Sequence, residues 1–183
     1  MDATITSAAV VALAETGDKT QILSMVLAGR WRRPGPILLG ILVATLANHL
    51  PAALIGAEIA SVFSPEIFRR VTAASFLVMA VWILIPDRPD ADDDRPPRGG
   101  VFVATVIAFF LAEMGDKTQL ATVALGSRFG DVAGVTAGTT IGMMLANVPA
   151  VLLGGALMRR LDGRYVRPLT AAVFAGLAVA TLV

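Results

Sequence analysis

The sequence predicts an all-α integral membrane protein of six transmembrane helices, arranged as two inverted three-helix repeats. Three observations predict it. Hydrophobic residues make up 56% of the 183 and charged residues 16%, with a mean hydropathy of +0.74, whereas a soluble domain carries about 25% charged residues to coat its surface. The apolar residues fall in six continuous runs, not in the alternating stretches of about ten residues that mark an outer-membrane barrel. A charged heptapeptide occurs twice, 98 residues apart.

The runs lie near Ile5–Ala28, Ile37–Ala57, Val71–Ile85, Val101–Leu125, Val132–Gly155 and Pro168–Val183. A spanning helix needs roughly 20 apolar residues, so the short third and sixth runs are expected to recruit flanking residues. The first run is not expected to be a cleaved signal peptide. It follows Met1-Asp2 with no basic region and contains Glu15, Asp18 and Lys19.

Glu15-Thr16-Gly17-Asp18-Lys19-Thr20-Gln21 returns as Glu113-Met114-Gly115-Asp116-Lys117-Thr118-Gln119. At the same offset Gly40 matches Gly138, Pro51 matches Pro149 and Gly56 matches Gly154, while Asn48 meets Asn147 after a slip of one residue. Residues 1–85 therefore read as one repeat and residues 101–183 as the other. Three helices per repeat turn the second one over in the bilayer. The loops after segments one, three and five hold ten arginines (Arg30, Arg32, Arg33, Arg88, Arg95, Arg98, Arg159, Arg160, Arg164, Arg167), and the opposite side holds three (Arg69, Arg70, Arg128). The positive-inside rule puts the ten in the cytoplasm and both termini outside, in the plasma (inner) membrane. Inverted repeats of this kind are common among secondary transporters.

The segment 86–100 joins the repeats. Its four prolines and the run Asp90, Asp92, Asp93 and Asp94 suit a solvated cytoplasmic linker. As a cation sensor it lacks the central glycine and closing glutamate of a Ca²⁺ loop. With no cysteine and one histidine, the chain offers neither a thiolate site nor a His-rich zinc site. A net charge of +1 gives no basic face for nucleic acid.

Glu15, Asp18, Glu113 and Asp116 fall near the middles of the first and fourth segments. A charge at the bilayer centre costs about 2.5–3.5 kcal/mol on insertion scales, so these groups must face the protein interior or a wet cavity. Glu15 and Asp18 share a helix face, and Lys19, four residues on, can neutralise Glu15. Gln21 extends the stripe. Thr20 joins only if the helix bends, which Gly17 permits; Gly115 and Thr118 repeat the argument. Carboxylate, amide and hydroxyl oxygens are hard ligands suited to Ca²⁺, Mg²⁺ or Mn²⁺. The expected metal site is Glu15, Asp18, Glu113 and Asp116, with Gln21, Gln119, Thr20 and Thr118 in or near the first shell. Asn48 and Asn147 add amide oxygens, and Lys19 and Lys117 balance charge. Four carboxylates and two lysines leave −2, which one divalent cation or two protons would cancel, so exchange of one for the other follows.

Two copies of Glu-x-Gly-Asp-Lys-Thr in a six-segment chain resemble the Gdt-type cation/proton exchanger family, which includes Golgi and chloroplast manganese transporters and bacterial manganese exporters. The resemblance covers nearly the whole chain. It implies export of Mn²⁺, with Ca²⁺ as the second candidate, coupled to H⁺ as the counter-ion. It implies no permanently bound cofactor and no enzymatic activity, and it places the ion on Glu15, Asp18, Glu113 and Asp116. The bilayer and the cation are then the partners, and the many glycines leave room for a homo-oligomer.

Two other functions fit less well. An exporter of a small cationic organic solute would want aromatic walls, and aromatics are 6%. A non-transporting scaffold leaves two matched charged stripes unexplained. Ser24 with His49 lacks the third group of a hydrolase. His49 reads as a packed or interfacial residue, with a proton relay as the sharper alternative. Glu58 reads as interfacial, and Pro51 and Pro149 as kinks beside Asn48 and Asn147.

Overall fold

Each charged stretch forms two helices with a break between them. The computed structural model describes residues 2–62, 65–82, 84, 100–153 and 163–182. Among these the helices are α1 (Ala3–Glu15), α2 (Lys19–Trp31), α3 (Pro34–Val62), α4 (Pro65–Trp82), α5 (Gly100–Glu113), α6 (Lys117–Phe129), α7 (Val132–Leu153) and α8 (Gly163–Leu182). The 86–99 portion of the expected linker lies outside the described residues, and Gly100 already opens α5.

The breaks have a local cause. Gly17 and Gly115 sit at φ +81° and +74°, a left-handed conformation that costs other residues about 1–2 kcal/mol. Asp18 (φ −86°, ψ 171°) and Asp116 (φ −80°, ψ 168°) are extended and begin the next helix as its N-cap. The amide of Gly17 then lacks a helical acceptor. Gln21 Oε1 accepts its hydrogen bond at 2.7 Å, and Gln119 Oε1 does the same for Gly115 at 2.7 Å.

The other segments follow the apolar runs closely. The third gains residues upstream, from Pro65, and the sixth begins at Gly163. α3 and α7 continue through Pro51 and Pro149. By length and composition, Pro34–Ala60 and Val132–Leu153 can each cross a bilayer. The surface is apolar: Leu39, Val43, Leu46, Leu50 and Leu54 of α3, with Ile141, Leu145 and Leu152 of α7, are exposed. The interior holds Glu15, Asp18, Asn48, His49, Glu113, Asp116, Lys117 and Asn147. Polar groups inside and aliphatic groups outside suit a lipid solvent.

Packing joins the two halves of the chain. α1 lies against α7, α3 against α5, α6 and α7, and α4 against α8. Glycines set the closest crossings. A Cβ on Gly56 of α3 would stand 2.1 Å from the Val123 carbonyl oxygen of α6, and one on Gly126 of α6 would stand 2.5 Å from the Ala53 carbonyl oxygen of α3. Gly138 and Gly142 of α7 meet the carbonyl oxygens of Thr4 and Ala8 on α1 in the same way. Phe76 of α4 packs on Phe174 of α8 with ring centres 6.1 Å apart.

Candidate metal centre

The helix breaks bring acidic side chains from both halves together. Glu15 ends α1, Glu113 ends α5 and Asp116 opens α6. One carboxylate oxygen from each lies within 4.8 Å of the other two, and all three residues are buried. Asp18, at the matching position on α2, is buried but stands outside this cluster. The centre is therefore asymmetric, although the two motifs adopt the same backbone.

The hydroxyls are asymmetric as well. Thr20 and Thr118 each donate a hydrogen bond to Glu15, one to each carboxylate oxygen. Thr20 thus joins the site, because the break at Gly17 turns the start of α2. Glu113 receives no hydrogen bond on either oxygen, and Asp116 Oδ2 has none among the described residues. Asp116 Oδ1 pairs with Lys19 Nζ at 3.0 Å. The expectation that Lys19 neutralises Glu15 four residues away is corrected here. A continuous helix would place them together, but the break at residues 16–18 carries Lys19 to the other motif. Lys117 is buried at the start of α6.

The amides serve structure. The oxygens of Gln21 and Gln119 are taken by the glycine amides. Their nitrogens donate to the Ala146 carbonyl oxygen at 2.8 Å and to Asn48 Oδ1 at 3.4 Å. Asn48 Nδ2 donates to the Phe110 carbonyl oxygen at 3.2 Å. Asn147 Oδ1 accepts from Ser24 Oγ at 2.5 Å, and its Nδ2 donates to the Met143 carbonyl oxygen at 3.0 Å. The structure thus gathers Glu15, Glu113, Asp116, Thr20 and Thr118 around one point and holds the four amide oxygens in other bonds.

These contacts also fix the register between the halves. Gln21 bonds Ala146 and Gln119 bonds Asn48, so Asn48 and Ala146 are equivalents at the offset of 98 with no slip. His49 then matches Asn147. His49, set aside in the sequence, is fully buried with Nε2 3.9 Å from Glu113 Oε2. Its packed reading holds and its interfacial one does not. The unslipped offset was the signal that would have drawn attention to it.

Carboxylate and hydroxyl oxygens gathered at helix ends are the donor type that a hard cation takes. Asp18 and Asp116 stand at helix N-termini, where the dipole favours negative charge.

Comparison with known proteins agrees with this chemistry. The family model described as "Divalent cation/proton antiporter GDT1" matches residues 3–91 and 101–183. A Vibrio cholerae serotype O1 protein named "Putative manganese exporter" is 51% identical over 172 residues, covering 93% of this chain and 86% of that protein. "GDT1-like protein sll0615" of Synechocystis is 28% identical over 177 residues, covering 85% of this chain and 84% of that protein. "GDT1-like protein 3" of Arabidopsis thaliana is 35% identical over 81 residues, covering 44% of this chain and 27% of that protein. No solved structure matches significantly.

Proposed function

Because the chain belongs to the GDT1 family of divalent cation/proton antiporters, we propose that it exports Mn²⁺ from the cytoplasm in exchange for protons, with Ca²⁺ as the second substrate. It is a membrane transporter and not an enzyme. One observation carries the site: Glu15, Glu113 and Asp116, from both motifs, converge in the interior. Their oxygens are the ligands a hard divalent cation takes. The manganese assignment draws on the name of the Vibrio relative.

Asp18 belongs to the same site in a second state. The two motifs match in sequence and backbone, yet only Asp116 joins the glutamates. In a transporter of inverted repeats, the repeats exchange conformations as access alternates. The mirrored state would bring Asp18 in and release Asp116, handing the ion from one side to the other. Thr20, Thr118, Lys19 and Lys117 tune the charge around it. Gln21, Gln119, Asn48 and Asn147 reach the ion only if their present bonds open.

The proposed topology has six spans in two repeats, 1–85 and 101–183, with both termini outside the plasma membrane and the linker 86–100 cytoplasmic. With the four carboxylates ionised and both lysines charged, the site carries −2, so the proposed exchange is two protons per divalent cation. Flux of Mn²⁺ and Ca²⁺ into proteoliposomes under an imposed pH gradient tests the reading. Proton-driven flux that Asp18→Asn and Asp116→Asn both abolish supports it. No flux of either ion from folded protein overturns it, and an electrogenic cycle whose flux depends on membrane voltage overturns the two-proton ratio.

A further inference from the structure

His49 is the single histidine of the chain, and nothing in the carboxylate cluster accounts for it. It is buried on α3 with 0% exposure, and neither ring nitrogen has a hydrogen-bond partner among the described residues. Its Nε2 stands 3.9 Å from Glu113 Oε2, and both oxygens of Glu113 are likewise without hydrogen bonds. Burying that many polar atoms unsatisfied is costly. The cost is explained if the atoms acquire a shared partner during function.

The separation says what kind of partner. At 3.9 Å the two atoms are too far apart for a hydrogen bond. Donor atoms about 2.0–2.2 Å from one divalent ion lie roughly 3 to 4.3 Å from each other, depending on the angle at the metal. A neutral imidazole keeps a lone pair on one nitrogen for such an ion. His49 stands outside the three-carboxylate cluster, beside Glu113. Glu113 is thus shared between the carboxylate cluster and the His49 contact, and an ion held on Glu113 Oε2 is within reach of the imidazole. The matching position in the other half is Asn147, whose oxygen is occupied by Ser24.

We propose that His49 supplies a nitrogen ligand to the transported cation at Glu113 and thereby favours a transition ion such as Mn²⁺ over Ca²⁺ or Mg²⁺. All three ions suit oxygen donors, but Ca²⁺ and Mg²⁺ take oxygen alone, whereas Mn²⁺ belongs to the first-row series that also binds nitrogen donors, so one imidazole added to an oxygen site shifts the balance toward Mn²⁺. The inference rests on the cation-exchange reading, and its test separates the two.

Mn²⁺ is added to the purified full-length protein, and pulsed electron paramagnetic resonance records nitrogen modulation of the bound ion. The wild type is expected to show the ¹⁴N modulation of a coordinated imidazole, and His49→Gln to lack it. The Mn²⁺ to Ca²⁺ flux ratio should fall roughly tenfold in His49→Gln, the scale on which losing a metal-site partner acts. Mn²⁺ bound by the wild type without nitrogen modulation overturns the inference and leaves the exchange reading intact. No Mn²⁺ binding and no flux overturn both. If His49→Gln fails to fold, the wild-type spectrum alone decides.

Discussion

Thr118 donates its hydroxyl hydrogen bond to Glu15, a residue 103 positions away in the other copy of the motif. The second motif thus completes the acidic group of the first, while Lys19 of the first pairs with Asp116 of the second, and the polar site belongs to neither half alone. A hydrogen bond to a charged group contributes about 1.5–3 kcal/mol. Thr118→Val is expected to weaken Mn²⁺ handling roughly tenfold or more, and Thr118→Ser to retain most of it. Mn²⁺ titration of flux in proteoliposomes checks this; equal losses in both variants would show that the hydroxyl is not the deciding group.

The ion pair of Lys19 with Asp116 is open to a double-mutant cycle. Lys19 is 24% exposed and Asp116 is 4% exposed, so the carboxylate suffers more from losing its partner. Lys19→Met alone should destabilise the protein by about 1–3 kcal/mol, less than a fully buried pair would. Adding Asp116→Asn should recover part of that loss. Unfolding in detergent measures all four corners, and additive effects would show that the pair does not couple.

Gly17 and Gly115 carry the helix breaks. Alanine at either should cost about 1–2 kcal/mol through its left-handed backbone, with no steric clash, since a Cβ there meets nothing within 4 Å. Asparagine, which tolerates this conformation better, should cost less. Flux should fall with stability, because a straightened motif would turn Thr20 away from Glu15. Normal flux in Gly17→Ala would show that the break is dispensable.

Gly126 is expected to behave differently from Gly17, because it fails by contact. Alanine there meets the Ala53 carbonyl oxygen at 2.5 Å, and backbone cannot yield as a flexible side chain can. Overpacking of this kind costs about 1–3 kcal/mol. A lowered thermal midpoint for Gly126→Ala checks it, and an unchanged midpoint would mean that α3 and α6 slide apart freely.

Much of this was legible in the sequence. The apolar runs locate the described helices, with the first and fourth runs each split in two at the charged motif, because lipid-facing side chains must be apolar whatever they pack against. The repeated heptapeptide gives Glu15, Glu113 and Asp116, because a carboxylate inside an apolar run has few other uses. Gly17 signals that a break can occur but not that it does. Once it does, Lys19 turns from Glu15 to Asp116, a partner 97 positions away that no helical periodicity reveals. The glutamines look like ligands by chemistry, yet the break itself creates an unpaired glycine amide that claims their oxygens. The place of His49 emerges from the contacts of Gln21 and Gln119, which fix the register between the motifs.

The pairing of α1 with α7 and of α4 with α8 bears on how the chain is made. A ribosome releases the first 85 residues before any of their main packing partners exists. During that interval Glu15 and Asp18 lack Asp116, Thr118 and the rest of α6, and the glycine-lined seams of α3 stand open. Until the second half arrives, the first half lacks the helices that it packs against most extensively. Fragments 1–85 and 100–183 made separately should each be degraded, and made together in one cell should recover transport. Stable accumulation of fragment 1–85 alone, measured by pulse-chase, would show that the first half folds without its mate.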